Sequence, residues 1–303
     1  MSNNNYILAV DIGGTSIKIG VVNKSEVIDS TTIRNSFKGH FDDLLPVIKG
    51  IMNNYINKYH INKIGVGCPG DIKDGYLYFA SNLGWKDINI LEKFKNEFKD
   101  LEVKVENDGL AAFKAERLYG RLNGVSNGIF VTIGKGIGGA ILIDDKVLLG
   151  SHSFGGRFGH IVIRSGGRFC NCGRKGCFEA YGSISGLIKT TKEYSLKWTK
   201  KEEQLETDKL SGYKILSYLK ENNPVVKESV KRWHKDIAIG LINLCHIVDP
   251  TDIVIAGGVT ESELLNIEYI KNKMIKHGYD KCELSLASLK GKTGLVGAAS
   301  LFE

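Results

Sequence analysis

Cys170, Cys172 and Cys177 form a C-x-C-x4-C pattern inside a glycine-rich stretch, and His160 lies ten residues upstream of the first cysteine. Three thiolates and one imidazole make a tetrahedral zinc site of the closed, structural kind. Gly173 and Gly176 let the backbone bend between ligands. Clustered cysteines in a cytosolic chain point to metal rather than to disulfides, and a loop of free thiols is the competing reading. Cys68, Cys245 and Cys282 stand apart in apolar or helical contexts and read as packing residues.

Two glycine turns carry the second signal. Asp11-Ile12-Gly13-Gly14-Thr15 follows the apolar run Tyr6–Val10 and precedes Ile17–Val22. About 120 residues later, Gly134-Lys135-Gly136-Ile137-Gly138-Gly139 separates Gly128–Ile133 from Ala140–Ile143. Such turns present backbone N–H groups to an anion, and glycine leaves room for a phosphate. Ile12–Thr15 aligns on Ile133–Gly136, which suggests two related lobes with both turns facing one cleft; chance similarity of two hairpins is the alternative. Asp11 is placed to hold Mg²⁺ through water. Lys18 reads as exposed or hinge-facing, with a phosphate contact open to it. Neither turn has the G-x4-G-K-[ST] spacing of a P-loop.

Third is Glu106-Asn107-Asp108-Gly109, where a strand runs into a helix. Asn107 and Asp108 fall at or beside the helix N-cap, and capping alone would explain them. The second reading makes Asp108 a carboxylate that accepts a proton from an attacking hydroxyl. Phosphoryl transfer asks little more of a protein than such a base, positioning and charge neutralisation.

The elements that must position these groups alternate between strands and helices, as in an α/β protein. Helical patterns fit Phe41–Tyr59, Ile90–Phe98 and Gly109–Leu118, and residues 187–248 read as predominantly helical, with Pro224 in a first turn after Asn222-Asn223. Short apolar strands are expected at Ile64–Gly67 and Asp252–Ala256, the latter ending in Gly257-Gly258, and Gly291–Leu301 suits a closing helix. The expected domains are an N-terminal α/β lobe over 1–120, completed by a C-terminal helix at about 291–303, and a C-terminal α/β lobe over 121–290. Composition agrees: 303 residues with 42% hydrophobic and 25% charged are enough for a large core and exclude general disorder. Of 36 glycines, 14 lie between Gly134 and Gly186, so backbone is brought close to something there. The net charge of +7 is spread along the chain without a basic stripe, which speaks against nucleic acid. No apolar run reaches membrane-spanning length and the N-terminus lacks a signal-peptide pattern, so a cytoplasmic protein is expected.

Together these segments resemble the ROK family (repressors, open reading frames and sugar kinases) of the actin-like ATPase superfamily. The resemblance runs from Ile7 to about Leu301 through Asp11–Thr15, Pro69-Gly70, Ser81–Trp85, Glu106–Asp108, Gly134–Gly139, Gly159-His160, Cys170–Glu179 and Gly257-Gly258. It implies a two-lobed, ribonuclease H-like fold with a cleft between lobes and a zinc-bound loop. It also implies ATP with Mg²⁺ across the glycine turns, contacting Asp11, Gly13, Gly14, Thr15, Gly134, Lys135, Gly136, Gly257 and Gly258. Asp108 would be the base toward the 6-hydroxyl of a hexose, and Asn82, Asn107, His160 and Glu179 would contact sugar hydroxyls. The resemblance further implies a homodimer and makes glucose or N-acetylmannosamine reasonable substrates.

Two positions depart from the family pattern. Arg157 stands where a sugar-binding Glu is usual, and a donor-only, always-charged guanidinium cannot replace it by the same geometry. It turns away or accommodates an altered sugar, pairs with an anionic substituent, or marks weak or lost kinase activity. Lys135 replaces a usual Thr, where it still reaches a phosphate as a point charge. An ATP-dependent hexose kinase is therefore the leading expectation, with a catalytically weak or silent sugar-binding regulator as the alternative. Only Met1–Asn5 precede the first strand, so a DNA-binding module ahead of it is not expected.

Overall fold

A computed structural model describes residues 5–37, 39–80, 83–151 and 155–303. The chain forms two units, Met1–Asn123 with Gly291–Glu303, and Gly124–Lys290.

The first unit is built on a five-stranded sheet. β1 (Ile7–Ile12) pairs antiparallel with β2 (Ser16–Asn23), and β2 with β3 (Glu26–Arg34). On its other side β1 pairs parallel with β4 (Lys63–Cys68), which pairs parallel with β8 (Glu102–Asn107). Parallel neighbours need crossovers. Helix α1 (Phe41–Tyr59) supplies the first, burying Phe41, Leu44, Leu45, Ile48, Met52 and Tyr55 at helical spacing. Between β4 and β8 run a small sheet of β5 (Asp71–Lys73), β6 (Tyr76–Ala80) and β7 (Trp85–Asn89), and helix α2 (Ile90–Glu97). Trp85 fixes that insertion, with its ring edge-on to Phe41 at 5.0 Å and its Nε1 donating to Phe37 O at 2.9 Å. Helix α3 (Asp108–Tyr119) follows β8 directly.

The second unit repeats the plan. β9 (Gly128–Ile133) pairs antiparallel with β10 (Ile137–Ile143), and β10 with β11 (Lys146–Val147). β9 is parallel to β12 (Asp252–Ala256), which is parallel to β13 (Glu283–Leu286). The orders β3-β2-β1-β4-β8 and β11-β10-β9-β12-β13 are the same topology. β1 and β9 end at Ile12 and Ile133, the residues on which the two glycine hairpins align in the sequence. The short hairpin match thus extends to a whole sheet.

The stretch expected to be helical over 187–248 is interrupted. α5 (Ile184–Lys197) and α6 (Gly212–Lys220) flank a mostly irregular segment, and α7 (Pro224–Val248) completes it. Pro224 occupies the first turn of α7 behind an Asn223 cap, whose side chain accepts from Val226 N. Helix α4 (Glu179–Gly182) precedes α5, and α8 (Ile267–Lys276) leads to β13. Trp233 of α7 is fully buried and donates to Gly182 O at 2.8 Å. Emptying such a site costs about 3–5 kcal/mol, so this indole anchors the end of the cysteine loop to the core. Cys245 and Cys282, read above as separate packing residues, are neighbouring buried thiols in this core. No helix among the described residues is long and apolar enough to cross a membrane.

Candidate functional site

In the first unit the carboxyl ends of β1, β4 and β8 lie side by side, the usual ligand position in an α/β sheet. They carry Asp11, Cys68 and Asn107-Asp108. Asn107 caps α3: its Oδ1 accepts from Gly109 N at 2.9 Å and Leu110 N at 3.1 Å, while its Nδ2 donates to Gly70 O at 2.8 Å. That cap frees Asp108 from the duty that would have explained it without chemistry. The Asp108 Oδ1 accepts from Gly109 N at 2.8 Å, and no ion pair engages it among the described residues. Burial, and then the charge of Asp11, push its carboxyl up to about 6. The same burial raises Asp11, opposed by the charge of Lys18. Between these carboxylates, burial and both negative charges keep the Cys68 thiol protonated.

Lys18 faces Asp11 across the β1–β2 register, and its Nζ donates to Gly291 O at 3.1 Å. It is a counter-charge to Asp11, a role the hairpin register makes legible once Ile12 is paired with Ile17. Gly294 was not foreseen. A Cβ there would run into the Asp11 carboxylate, so a larger residue in the C-terminal helix (Thr293–Ala299) would push that side chain aside. In the first turn Gly13 N donates to Ser16 O, leaving the Gly14 and Thr15 N–H groups without a protein acceptor among the described residues.

In the second unit His160 ends a short 3-10 turn (Phe158–His160), and the cysteine loop folds back as nested hairpins. Ile163 N donates to Gly176 O, Phe178 N to Ile161 O and Cys170 N to Arg174 O, each within 2.8–2.9 Å. One ligand atom from each of His160, Cys170, Cys172 and Cys177 lies within 4.8 Å of the others. Cys172 Sγ is 3.6 Å from Cys177 Sγ, and Cys170 Sγ is 3.7 Å from His160 Nδ1. Zinc bonds of about 2.0–2.3 Å at tetrahedral angles separate ligands by roughly 3.6–3.8 Å, so the donor set fits the ion in kind, and these two pairs stand at that spacing. Burial pushes Cys170 up to about 12 and also raises Cys177; Cys172, despite some burial, is held lower by Arg174 N–H and its thiol neighbours. Crowded, partly dehydrated thiols of this kind gain most when a cation replaces their protons. Because Nδ1 faces the sulfurs, Nε2 of His160 remains for another partner.

A brace unforeseen from the sequence supports this loop. Arg164 pairs with the fully buried Asp236 of α7, and its guanidinium lies 4.0 Å from the Tyr181 ring centroid. Arg168 lies 4.7 Å from the same centroid and pairs with Glu193. Isolated charges on strand-poor sequence gave no hint of this arrangement.

The second glycine turn, at residues 134–136, sits between β9 and β10, and Gly257 at the end of β12 packs against Ile133 just before it. Lys135 and Arg157 are exposed, and Glu179 is half-buried with its Oε2 accepting from Ile137 N at 2.9 Å. The structure therefore brings Asp11, Gly13–Thr15, Asn107 and Asp108 together in one unit, and Gly134–Gly136, Gly257-Gly258, His160, Glu179 and the three cysteines in the other. Asn82 lies outside the described residues.

These features are those of a known class. The ROK family model matches residues 7–303, and the chain belongs to the ROK family. It is 29% identical over 312 residues to a glucokinase of Halalkalibacterium halodurans, covering 98% of this chain and 94% of that protein. A ROK family glucokinase from Streptomyces griseus, solved in complex with glucose and AMPPNP, superposes with a TM-score of 0.80 at 27% identity, covering 98% of both chains. The xylose repressor of Bacillus subtilis is 24% identical, covering 98% of this chain and 76% of the repressor. The α/β fold is thus that of the ROK sugar kinases, a family that holds regulators as well.

Proposed function

We infer that the protein is an ATP-dependent kinase that phosphorylates the 6-hydroxyl of a hexose. The observation that carries this reading is Asp108: a carboxylate set at the first turn of α3 beside Asp11, outside any ion pair among the described residues, with burial pushing its carboxyl up to about 6. A base whose pKa lies close to the working pH combines a useful ionised fraction with real basicity. Asp108 takes the proton of the sugar 6-hydroxyl as that oxygen bonds to the γ-phosphorus, while the bond from phosphorus to the β,γ-bridging oxygen breaks and ADP leaves. Mg·ATP, when bound, supplies the transferable phosphoryl group and neutralises its charge. Asp11 would hold the magnesium through water, and the backbone of Gly13–Thr15, Gly134–Gly136 and Gly257-Gly258 would hold the phosphates and nucleotide, with Lys135 adding a point charge. Asn82, Asn107, His160 and Glu179 would orient the sugar. His160, Cys170, Cys172 and Cys177 would hold a zinc ion, and a His160 ring held there through Nδ1 would keep Nε2 for a sugar hydroxyl.

The relatives named glucokinase support this reading, and glucose and N-acetylmannosamine are the first sugars to try. One observation favours a second reading, a silent sugar-binding regulator: Arg157 is exposed at the position where the family pattern has a sugar-binding Glu, and a repressor is among the relatives. ADP release across a hexose panel separates the two. The kinase reading expects turnover with at least one hexose and the new phosphate on its 6-oxygen; measurable sugar binding without turnover on any sugar would select the regulator.

A further inference from the structure

Glu179 lies at the join of the cysteine loop and α4, two residues after the last cysteine ligand, yet its carboxylate points to the second glycine turn. Its Oε2 accepts from Ile137 N at 2.9 Å, and Oε1 lies 3.8 Å from Cys170 Sγ. Gly136 is pressed so close to Oε2 that a Cβ at 136 would meet the carboxylate. Three further contacts hold the glycine hairpin against α5 and the His160 turn. Ile184 N donates to Gly134 O at 2.9 Å, Gly159 packs on Ile137 O, and Gly139 abuts the Phe158 ring. The turn is therefore clasped at both ends, by backbone at Gly134 and by one carboxylate at Ile137.

We propose that Glu179 is a positioning residue for the second glycine turn, holding Gly134–Ile137 in the shape that offers its free N–H groups to a nucleotide's phosphates. This rests on the kinase reading above and adds a duty to the sugar contact assigned there. Gly134 N is already spent on Gly136 O, so the Lys135 and Gly136 N–H groups are the donors whose direction the clasp sets. A turn held in advance spares the ligand the cost of ordering it. The same carboxylate links the cysteine loop to phosphate binding, so a change in that loop is felt by nucleotide and sugar alike.

The test uses the full, metal-loaded protein with three variants. Glu179→Ala removes the acceptor, Glu179→Gln keeps an oxygen that can accept from Ile137 N, and Gly136→Ala leaves Glu179 in place but pushes its carboxylate away. Two quantities are read: amide exchange at Ile137 without any ligand, and the Kd of a non-hydrolysable ATP analogue beside the Kd of the sugar. Glu179→Ala and Gly136→Ala are expected to speed Ile137 exchange by about tenfold or more and to weaken nucleotide binding about tenfold, with zinc content unchanged. Glu179→Gln is expected to stay within about threefold of the parent in both, the scale of one retained hydrogen bond. If Glu179→Ala fails to fold, Gly136→Ala and Glu179→Gln carry the test. Unchanged exchange and nucleotide affinity with weakened sugar binding would overturn the proposal, as would a Gln variant as defective as Ala. A parent protein that binds no nucleotide would overturn the kinase reading as well, and it shows before any variant is made.

Discussion

Asp108→Asn is expected to slow turnover by ~10²-fold or more while making the protein more stable at pH 8. The first effect follows from the loss of the base. The second follows from the cost of holding that base ionised. The Asp108 carboxyl titrates at about 6 in the folded protein against an ordinary 3.8, because burial and the neighbouring Asp11 disfavour its charge. The folded state therefore holds this proton more tightly than the unfolded chain. Its stabilising contribution is complete below the unfolded value and is lost as pH rises through about 6. At pH 8 the ionised side chain then costs about 1–3 kcal/mol, a toll that the neutral amide avoids. Thermal unfolding should show the variant a few degrees more stable at pH 8 and level with the parent near pH 4, where both side chains are neutral. Sugar binding should survive roughly intact, since Asn107 caps the helix and keeps the backbone in place. A variant with near-normal turnover would remove Asp108 as base, and one without the pH-dependent gain would contradict its buried setting.

Metal removal is the second large effect. Elemental analysis is expected to find about one zinc per chain, and Cys172→Ala to lose it. Cys172 is the ligand to change because it is exposed while Cys170 and Cys177 are buried, so its truncation leaves no cavity and the loss reads on coordination. The hairpins around it are short, and their inward-facing sulfurs repay little by packing alone. Structural zinc in small domains contributes on the order of 10 kcal/mol of apparent binding energy, and even a part of that is large beside the stability of a domain. Chelated protein should melt at a lower temperature, gain proteolytic sensitivity within residues 160–178, and lose most of its turnover because His160 is no longer held. Intact activity in a metal-free preparation would reject a zinc-positioned His160.

Much of this arrangement was legible in the sequence because its signals are local. The two glycine hairpins announce the duplicated sheets because the same order of apolar strand, glycine turn and apolar strand recurs at Ile12 and Ile133. The cysteine spacing announces the cluster of His160, Cys170, Cys172 and Cys177, because ligands a few residues apart on a glycine-rich loop fold back onto one point. Asn223-Pro224 marks the start of α7 by its cap and fixed φ. What stayed hidden is long-range or polar. β3 alternates half-buried and exposed residues without a strong apolar face, and β6 exposes Tyr78 and Phe79 on a sheet too small to need a clean alternation. The charged segment around Lys200–Glu203 carries enough helix formers to read as helix, yet it has no core-facing stripe and folds mainly as an irregular connection. Glu179 on Ile137, Gly294 against Asp11 and Arg164 with Asp236 join residues 42, 283 and 72 positions apart, and no local pattern reports such pairs. Asp108 shows the opposite case: a cap reading and a functional reading both fitted the sequence, and the structure gives the cap to Asn107, while Asp108 accepts from Gly109 N.

The most direct measurement is the pH dependence of kcat/KM for the phosphorylated hexose between pH 5 and 8.5, at saturating Mg·ATP. Asp108 must be ionised to accept the hydroxyl proton, so the rate should climb about tenfold per pH unit at the acid end and level off above an apparent pKa near 6. A profile that stays flat from pH 5 through pH 7 would contradict the assignment of Asp108 as the base.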